Sequence, residues 1–294
     1  MSEPTISIIF PNANGGNEPL ACLSSIARLN YPKTKLEVIV VDNHSADGSP
    51  LLIKRKYPHV KLILNSVNLG FAKAVNLGIA QAKGEYIFIG NDDLMFENNS
   101  LQILVRYLVN HPRVGLIGGK IFSKDQHAKL STAGFMMNRW TGHIYSAPNP
   151  ELVKSPDWLQ GCALLTSRKA LTQAGLLDPG FSLIYFEDYD LALRIKKSGL
   201  QIVYLPQAIF WHGVTKTMNK NLPEKYYQWY KNKFRFVLKN LPWVNVLSIF
   251  LIQFLLIVPL RLFLGDGRFI PLLKGAWWNL QHLDETFIAR KHLC

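Results

Sequence analysis

The first ninety residues alternate between short apolar runs and longer segments whose apolar residues recur at helical spacing. The runs are rich in β-branched residues, which is typical of strands buried on both faces of a parallel sheet. Strands are therefore predicted over residues 5–10, 36–41, 60–64 and 85–89, and helices over residues 18–29, 46–57 and 71–82. This β-α-β-α-β-α-β order predicts an α/β fold with a doubly wound sheet, which binds ligands at the carboxyl ends of its strands.

The pattern changes beyond a predicted helix at residues 100–110. Residues 114–145 contain glycines between short β-rich pieces, so antiparallel hairpins and a mixed sheet are expected. Helices are predicted over residues 167–174 and 188–197, and strands over residues 201–205 and 208–211. A boundary near Lys216 then separates a catalytic domain, residues 1–215, from a tail, residues 216–294.

The tail carries much of the positive charge of the chain. The net charge is +13, and the tail holds 12 Lys and Arg residues against 4 Asp and Glu residues. Seven of these cations lie in residues 216–240, directly before the uncharged residues 241–260, and this order is typical of attachment to an anionic membrane surface. Residues 272–287 place apolar residues three and four apart, opposite polar ones, which predicts a helix lying in the interface.

Alternatives remain open for the tail. Both apolar segments can instead pack on the catalytic domain as ordinary core helices. At a membrane, interfacial or re-entrant attachment is favoured over a full span, because Lys239 and Arg261 flank the apolar run equally and give no charge asymmetry. No nucleic-acid partner is expected, since nucleic-acid binding would leave the apolar run without a purpose.

Composition and cysteine usage narrow the class and the compartment. Apolar residues make up 48% of the chain and charged residues 18%, which excludes a disordered or low-complexity protein. Cys22, Cys162 and Cys294 lie far apart in no paired spacing, so a reducing compartment is expected and a zinc ribbon is not. The sequence Met-Ser-Glu-Pro at the start lacks the charge of a signal peptide. We therefore expect a catalytic domain at the cytoplasmic face, held there by the tail.

Two pairs of acidic residues fall where chemistry is expected. Asp92 and Asp93 follow a predicted strand, and such carboxylates suit Mg²⁺ or Mn²⁺, although they can also simply open a turn. Glu187 and Asp188 begin a predicted helix, where the helix dipole favours acids for structural reasons alone. Because the apolar residues 181–186 precede this second pair, its carboxylates can also be desolvated, which favours a general base.

Other polar residues stand at strand ends. His212 could join a metal site formed by distant carboxylates, although a lone histidine is more often structural. Asp42 could bond to a nucleobase or ribose, with residues 11–14 shaping the facing wall, and such residues also make ordinary turns. The sequence Asn68-Leu69-Gly70 before a helix could present backbone N–H groups to a phosphate.

Taken in order, five segments resemble the family 2 glycosyltransferases of GT-A fold, especially the rhamnosyltransferase-like branch that builds bacterial surface polysaccharides. The resemblance spans about residues 5–213 and implies a GT-A-like (Rossmann-like) doubly wound mixed sheet. The matching segments are residues 8–14 (IIFPNAN), 41–49 (VDNHSADGS), 68–72 (NLGFA), 84–93 (GEYIFIGNDD) and 185–194 (YFEDYDLALR).

The resemblance also implies roles for single residues. Asp188 matches the catalytic base of inverting members. Asp93 takes the last position of the family's metal-binding Asp-x-Asp motif, whose first position is Asn91 here, and His212 matches a metal-binding histidine of some members. Contacts to the donor are implied for Pro11, Asn12, Asn14, Asp42, Asn43, Gly70, Asn76, Asp92 and Gly161. Within that set, Asp42 is expected at the nucleobase and Gly161 beside the donor sugar.

The implied activity is inverting transfer of a sugar that depends on Mg²⁺ or Mn²⁺. The donor is a dTDP- or UDP-sugar, with rhamnose favoured, and the acceptor is a lipid-linked saccharide or polysaccharide at the membrane surface. A Rossmann oxidoreductase is excluded because it needs G-x-G-x-x-G after the first strand, where residues 11–16 read PNANGG. A catalytically inactive GT-A scaffold or sugar-nucleotide-binding protein remains the alternative, and the presence of Asp93 and Asp188 argues against it.

Overall fold

A mixed sheet runs through the centre of the molecule in a computed structural model that describes residues 3–124, 129–213 and 221–291. The strands are β1 Ile6–Asn12, β2 Leu36–Asp42, β3 Lys61–Leu64, β4 Tyr86–Gly90, β5 Leu94–Phe96, β6 Val114–Ser123, β7 Leu130–Thr132, β8 Phe135–Met137, β9 Ile144–Ser146, β10 Ala163–Ser167 and β11 Gln201–His212. The helices are α1 Glu18–Ala27, α2 Ser49–Lys56, α3 Phe71–Gln81, α4 Ser100–Asn110, α5 Arg168–Ala174, α6 Glu187–Lys197, α7 Leu222–Asn240, α8 Trp243–Phe263, α9 Phe269–Gln281 and α10 Leu283–Lys291.

The strand order confirms the predicted mixed α/β sheet. Within the described residues, the main path of the sheet is β3-β2-β1-β4-β10-β6-β11-β5, and β7 pairs with β6. Strands β3, β2, β1 and β4 are mutually parallel, while β10 is antiparallel to both β4 and β6. A separate hairpin, β8–β9, covers one end of the sheet. The parallel half is the part that the β-branched runs predicted.

Three details of the sheet differ from the sequence prediction. Strands β5 and β10 were not predicted, because runs of three and five residues carry little periodic signal. The two predicted strands at residues 201–205 and 208–211 form one strand, β11, whose register against β6 shifts between Leu205 and Ile209. Pro206 lies at this shift, and a proline cannot donate a backbone hydrogen bond to the ladder, so the pairing is interrupted there without ending the strand.

Two hydrophobic layers enclose the sheet. On one face, α1, α2 and α4 pack against alternate side chains of the strands, among them Ile8 of β1. On the other face, Ile9 of β1 lies in a cluster built from α3, α5 and α6. That second cluster also contains Phe236 and Val237 of α7, both of which are fully buried. Helix α7 therefore belongs to the core that covers the sheet.

Four cations of the basic segment before the apolar run are buried. For these four residues, the predicted role at a membrane surface is wrong. Lys216 and Lys220 lie outside the described residues, as does the predicted domain boundary. The buried cations are Lys231, Lys233, Arg235 and Lys239, each less than 9% exposed. They face the catalytic domain because α7 packs on it, and they cannot at the same time face lipid headgroups. Removing the chain after Lys216 would also strip the core of α7.

An ion network joins α7 to α6. Lys239 Nζ lies 2.7 Å from Asp178 Oδ2 and 2.8 Å from Asp190 Oδ1. Asp190 is fully buried and also accepts from Arg194 Nε at 2.8 Å and Asn240 Nδ2 at 2.9 Å. Burial alone would raise the pKa of Asp178, but the neighbouring Lys239 ammonium and Arg235 guanidinium groups hold it below its ordinary value. Opposite charges thus compensate one another inside the junction between tail and catalytic domain.

The apolar part of the tail forms three helices. Helix α8 contains a π-helical segment, Ile252–Ile257, between two α-helical segments. Among the described residues, it is the one helix that by length and composition could cross a membrane, and most of its surface is exposed. The single helix predicted for residues 272–287 is instead α9 and α10, separated at His282. Helix α9 packs closely on α7, where a Cβ on Gly275 would lie 2.7 Å from the backbone nitrogen of Lys231.

Replacing Lys239 by Met should destabilise the protein by about 3 kcal/mol, because the change removes the ammonium group that bonds to both Asp178 and Asp190 and leaves each carboxylate with one arginine partner, Arg235 or Arg194. The measurement is urea unfolding followed by circular dichroism. Lys197→Met on exposed α6 surface is the matched control and should change stability by less than about 0.5 kcal/mol. Equal, small effects of the two substitutions would show that the network does not hold α7 in place.

Candidate active site

Strand pairing brings Asp93 and His212 together. Asp93 follows β4, and His212 ends β11, where it pairs with Leu94 of β5. The pairing places His212 Nε2 3.0 Å from Asp93 Oδ1, and the backbone nitrogen of Gly213 also donates to Asp93 O at 3.3 Å. Asn91 Nδ2 lies 3.1 Å from the same imidazole nitrogen. The two residues predicted as metal ligands are therefore neighbours, although 119 residues separate them in sequence.

The pair offers a donor set that fits a divalent cation. Asp93 Oδ1 is buried and receives no well-aligned hydrogen bond from the described residues, which leaves a lone pair available. An imidazole nitrogen beside a carboxylate oxygen suits Mn²⁺, whereas Mg²⁺ prefers oxygen ligands. Within the described parts of the chain, no three His, Cys, Asp or Glu side chains converge on one point, so the remaining ligands would come from substrate or water. Metal binding by Asp93 and His212 stays a prediction.

Asp92 faces the loop after β1. A Cβ on Gly15 would lie 2.5 Å from Asp92 Oδ2, so only glycine permits this approach. Burial raises the pKa of Asp92 to about 7, and the charge of Asp93 adds to the effect. The Asp92 carboxyl thus lies against the β1 loop, and a contact between Asp92 and the donor stays a prediction.

Several predicted donor contacts are hydrogen-bonded within the protein. Asn12 is fully buried, and its Nδ2 donates to Asp42 Oδ1 at 2.6 Å and to Ser49 Oγ at 2.9 Å. Asp42 Oδ2 accepts from the backbone nitrogen of Ser45 at 2.9 Å. Asn43 donates to Gly70 O at 3.3 Å. These side chains fix the strand ends that form the crevice, and a direct contact between them and a nucleotide stays a prediction.

The exposed residues of the crevice come from the loop after β1. Pro11 is half-buried, and Asn14 is exposed with a φ of 56°, in the left-handed region. The backbone nitrogen of Asn14 donates to Ser45 Oγ at 2.9 Å, and its Oδ1 accepts from Ala46 N at 2.8 Å. These bonds join the β1 and β2 loops. A donor contact by Pro11 or Asn14 stays a prediction, and their position on an open edge permits it.

Two candidate donor contacts near α3 are hydrogen-bonded within the protein. In the segment Asn68-Leu69-Gly70, whose N–H groups could face a phosphate, Gly70 N donates to Asn68 Oδ1, and the next nitrogen, that of Phe71, donates to Leu183 O at 2.9 Å. The Asn76 side chain donates to Leu177 O at 2.8 Å and accepts from Leu177 N at 3.2 Å. Donor contacts by Gly70 and Asn76 stay predictions.

Asp188 lies in the first turn of α6, with Gly161 directly against it. Gly161 N donates to Asp188 Oδ2 at 2.9 Å, and Tyr189 N donates to Asp188 Oδ1 at 2.8 Å. Burial raises the pKa of Asp188 to about 6, and these two donors act against the rise. Burial and the charge of Asp188 raise the pKa of Glu187 well above its ordinary value. Hydrogen bonds from Gly161 and Tyr189 thus favour the charged form of Asp188, whereas burial and the neighbouring charge favour the neutral form of Glu187.

A cavity of about 220 Å³ connects these groups. Asp188, Glu187, Gly161, Asn91 and His212 contribute to its wall. Seven aromatic residues complete it. Tyr185 and Phe186 belong to the apolar segment predicted before the acids, whereas no pattern in the sequence indicated Phe71, Phe135, Trp158, Tyr189 and Trp229 as lining residues. The predicted base, His212 of the predicted metal-binding pair and flat apolar surfaces thus line one space. Such surfaces suit the carbon faces of a sugar.

The tail contributes Trp229 and an amide, Asn232, to this region. Trp229 lies in edge contact with Tyr185 and Phe186, at ring centroid distances of 5.4 Å and 5.1 Å. Asn232 is fully buried. Its position three residues after Trp229 and four before Phe236 puts a polar residue on the apolar stripe of α7. That is the one signal by which the sequence could have identified it.

Known proteins resemble the chain in both sequence and fold. Residues 7–172 match the family model described as Glycosyl transferase family 2. The chain is 30% identical over 205 residues to N-acetylglucosaminyl-diphospho-decaprenol L-rhamnosyltransferase of Mycobacterium tuberculosis (strain CDC 1551 / Oshkosh), covering 60% of this chain and 66% of that protein. It is 24% identical over 250 residues to Probable glycosyltransferase YdaM of Bacillus subtilis (strain 168), covering 81% of this chain and 55% of that protein. The chain thus spans less than two thirds of either relative.

Solved structures share the fold. The mannosyltransferase PcManGT from Pyrobaculum calidifontis, in complex with GDP-Man and Mn²⁺, has a TM-score of 0.61 and 18% identity, covering 95% of this chain and 88% of that one. GalNAc-T7 with UDP, GalNAc and Mn²⁺ has a TM-score of 0.63 and 16% identity, covering 80% of this chain and 48% of that one. These similarities confirm the GT-A architecture expected from the sequence.

Replacing Asp93 by Ala should weaken Mn²⁺ binding at least about tenfold, since even residues that only support a ligand commonly contribute that much. Electron paramagnetic resonance of free Mn²⁺ during a titration measures the affinity. Asp266→Ala, which removes a carboxylate of the tail, is the control and should leave the affinity unchanged. Equal Mn²⁺ affinity of Asp93→Ala and the unmodified protein would remove Asp93 from the metal site.

Proposed function

The chain belongs to glycosyl transferase family 2, and we propose that it transfers the sugar of a nucleotide-sugar donor by a single displacement that inverts the anomeric centre. The observation that carries this proposal is the cavity shared by an ionised, buried Asp188 and by His212 of the Asp93–His212 pair. In that space, Asp188 can remove a proton from an acceptor, and His212 can face the phosphates of a donor. The aromatic walls between them are suited to the sugar.

Asp188 is the general base in this proposal. Its carboxylate accepts the proton of the acceptor hydroxyl, whose oxygen forms a bond to the anomeric carbon as the bond from that carbon to the diphosphate oxygen breaks. The diphosphate leaves with the electron pair. Gly161 N and Tyr189 N fix both oxygens of Asp188, so the carboxylate is oriented before the acceptor binds. Burial and the charge of Asp188 disfavour the charged form of Glu187, so Asp188 rather than Glu187 is the proposed base.

Asp93 and His212 hold the divalent cation in this proposal. The cation, when bound, neutralises the charge that develops on the departing diphosphate. The donor set of one carboxylate and one imidazole favours Mn²⁺ over Mg²⁺, and the two similar solved structures that contain Mn²⁺ support a divalent metal. Asn91 Nδ2 lies 3.1 Å from His212 Nε2, the nitrogen that faces Asp93, so a bound cation would replace this contact.

A lipid-linked saccharide is the proposed acceptor, and rhamnose from a dTDP- or UDP-sugar is the proposed donor sugar. The similarity to a rhamnosyltransferase named for a diphospho-decaprenol substrate supports both. A second cavity, of about 320 Å³, supports an acceptor that carries phosphate. Its lining includes the cations Arg139, Lys197, Lys239 and Arg290, and it opens at Leu241 and Pro242, directly before α8. The product would be an intermediate of a bacterial cell-surface glycan.

Membrane attachment through α8 and α9 completes the proposal. Exposed apolar residues of α8 include Leu247, Leu255, Leu256 and Phe263, and Trp277 of α9 is exposed as well. Because four of the five cations of α7 are buried, apolar contact rather than headgroup charge would supply most of the attachment. Cys22 and Cys162 are unpaired, which supports a position at the reducing, cytoplasmic face, where an interfacial tail would meet a lipid-linked acceptor.

Replacing Asp188 by Asn should lower kcat by a factor on the order of 10² to 10⁴, because the amide keeps the size of the side chain and loses its basicity. Transfer of radiolabelled sugar from a nucleotide donor to a lipid-linked saccharide measures the rate. In the unmodified enzyme, kcat/KM should fall below about pH 6, since protonation removes the raised-pKa base as the pH decreases.

Glu187→Gln is the matched control for the base, because it removes the neighbouring carboxyl group and keeps the size of the side chain. This variant should keep most of its activity, and its kcat/KM should fall at the same acidic pH as that of the unmodified enzyme. An inactive Glu187→Gln together with a fully active Asp188→Asn would show that the base is the other acid.

Leu255→Glu combined with Leu256→Glu should release the protein from liposomes, because both side chains are more than 60% exposed and their replacement leaves the core intact. Flotation with anionic and neutral vesicles measures binding. Binding of the unmodified protein should persist in high salt. The control combines Leu51→Glu and Leu64→Glu, which are equally exposed in the catalytic domain and should not affect flotation. A protein that stays soluble without detergent at moderate salt would contradict membrane attachment.

A further inference from the structure

We infer that Asn232 of α7 is a positioning residue for the catalytic base, which it serves by holding the loop at residues 182–186 in the conformation that aims Asp188 at Gly161. This inference rests on the proposed function of Asp188. It assigns the tail a second role besides membrane attachment, because Asn232 lies in the tail and the loop lies in the catalytic domain. The tail helix α7 is then part of the active site.

The loop before α6 has an unusual backbone. Leu183, Tyr185 and Phe186 have φ values of 62°, 83° and 72°, in the left-handed region that side chains with a Cβ disfavour. Phe186 is the residue that caps α6, only two positions before Asp188. A strained backbone of this kind persists only where surrounding contacts impose it, and such strain concentrates at functional sites. The contacts that impose it therefore determine the direction in which α6 starts.

Asn232 supplies the contacts from one side. Its Nδ2 lies 3.2 Å from Ser182 O, 2.7 Å from Ile184 O and 3.1 Å from Tyr185 O. One buried amide group thus bonds to three of the four carbonyls between residues 182 and 185. Its Oδ1 has no partner among the described residues, so the N–H groups are the part of the side chain that is used. The neighbouring Lys231 Nζ bonds to Ser182 Oγ.

Helix α3 holds the loop from the other side. Phe71 N donates to Leu183 O at 2.9 Å, and a Cβ on Gly70 would lie 2.8 Å from Leu183 N. The left-handed φ of Gly70, 78°, and this close approach both require glycine. The loop is consequently clamped between the start of α3 and the middle of α7. Loss of the Asn232 bonds would remove the only polar anchor that the tail gives to Ile184 and Tyr185 in the described structure.

Asn279 provides a matched control within the same tail. It is 2% exposed, and its Nδ2 donates at 2.8 Å to both Lys231 O and Gly275 O. Its hydrogen bonds join α9 to α7 and do not include the loop. Asn232→Ala and Asn279→Ala therefore each remove one buried amide and the bonds that it donates. A purely structural role for Asn232 predicts the same effect on activity for both variants.

The experiment compares kcat, donor KM and thermal unfolding of Asn232→Ala, Asn232→Ser and Asn279→Ala in the full-length enzyme. We expect Asn232→Ala to lower kcat about 100-fold, the typical effect of misplacing a catalytic group by about an ångström, with the donor KM within about twofold. Asn232→Ser keeps one short donor and should recover part of the rate; it also serves if the alanine variant does not fold. Asn279→Ala should keep kcat within about threefold while losing a similar amount of thermal stability.

A second readout does not depend on turnover. Hydrogen–deuterium exchange at residues 182–190 should accelerate in Asn232→Ala and remain unchanged in Asn279→Ala. The acid limb of kcat/KM should also move to lower pH in Asn232→Ala, because a loosened loop admits water to Asp188 and lowers its pKa. Equal losses of kcat in the alanine variants, or an unchanged exchange rate in the loop, would overturn the inference. An unmodified enzyme without sugar transfer would instead contradict the proposed function.

Discussion

The buried ammonium group of Lys239 between Asp178 and Asp190 is the interaction on which the rest of the structure depends. Asp190 is fully buried on α6, two residues after Asp188, while Asp178 lies in the loop that precedes the strained segment. Arg194 and Arg235 each pair with one of these carboxylates, whereas Lys239 bonds to both. Because Lys239 comes from α7, docking of the tail and the position of α6 are coupled. The base and the tail are thus parts of one electrostatic unit.

The surroundings of the two acids at the start of α6 then determine which of them carries the negative charge more readily. Glu187 and Asp188 are adjacent, and both lose solvent, but only Asp188 gains backbone donors for its two oxygens, from Gly161 and Tyr189. Hydrogen bonds to a carboxylate favour its charged form, whereas Glu187 Oε2 has no partner among the described residues. The charge therefore resides on Asp188. Position in the helix's first turn alone could not have distinguished the acids, because the helix dipole favours both.

The sequence predicted the elements whose signal is local. Strands β1 to β4 are continuous β-branched runs, and the matching helices follow the 3.6-residue period, so the parallel half of the sheet was readable. The acids at the ends of β4 and at the start of α6 were readable for the same reason. The contact between Asp93 and His212 was not a local property, because it depends on the pairing of β11 with β5, a three-residue strand that no pattern reveals. The prediction that Asp93 and His212 share a metal site came instead from the family resemblance.

The tail shows where charge patterning misleads. Lys231, Lys233, Arg235 and Lys239 form a basic run in the sequence, but the run does not show which way the side chains face. The acidic partners of Arg235 and Lys239, which are Asp178 and Asp190, lie more than forty residues away. The role of Asn232 could not be predicted from the sequence either. Its partners are backbone carbonyls of a loop, and the left-handed residues of that loop are not glycines, so the sequence does not indicate the unusual backbone. Long-range electrostatics and strained backbone are consequences of the fold and appear only once it is assembled.

The central claim is that one ionised base in this cavity promotes a single displacement at the anomeric carbon. Nuclear magnetic resonance of the first product formed from a nucleotide sugar, with the anomeric configuration assigned from the one-bond carbon–proton coupling, tests it most directly. The account predicts an anomeric configuration opposite to that of the donor. A product with the donor's own configuration would contradict it.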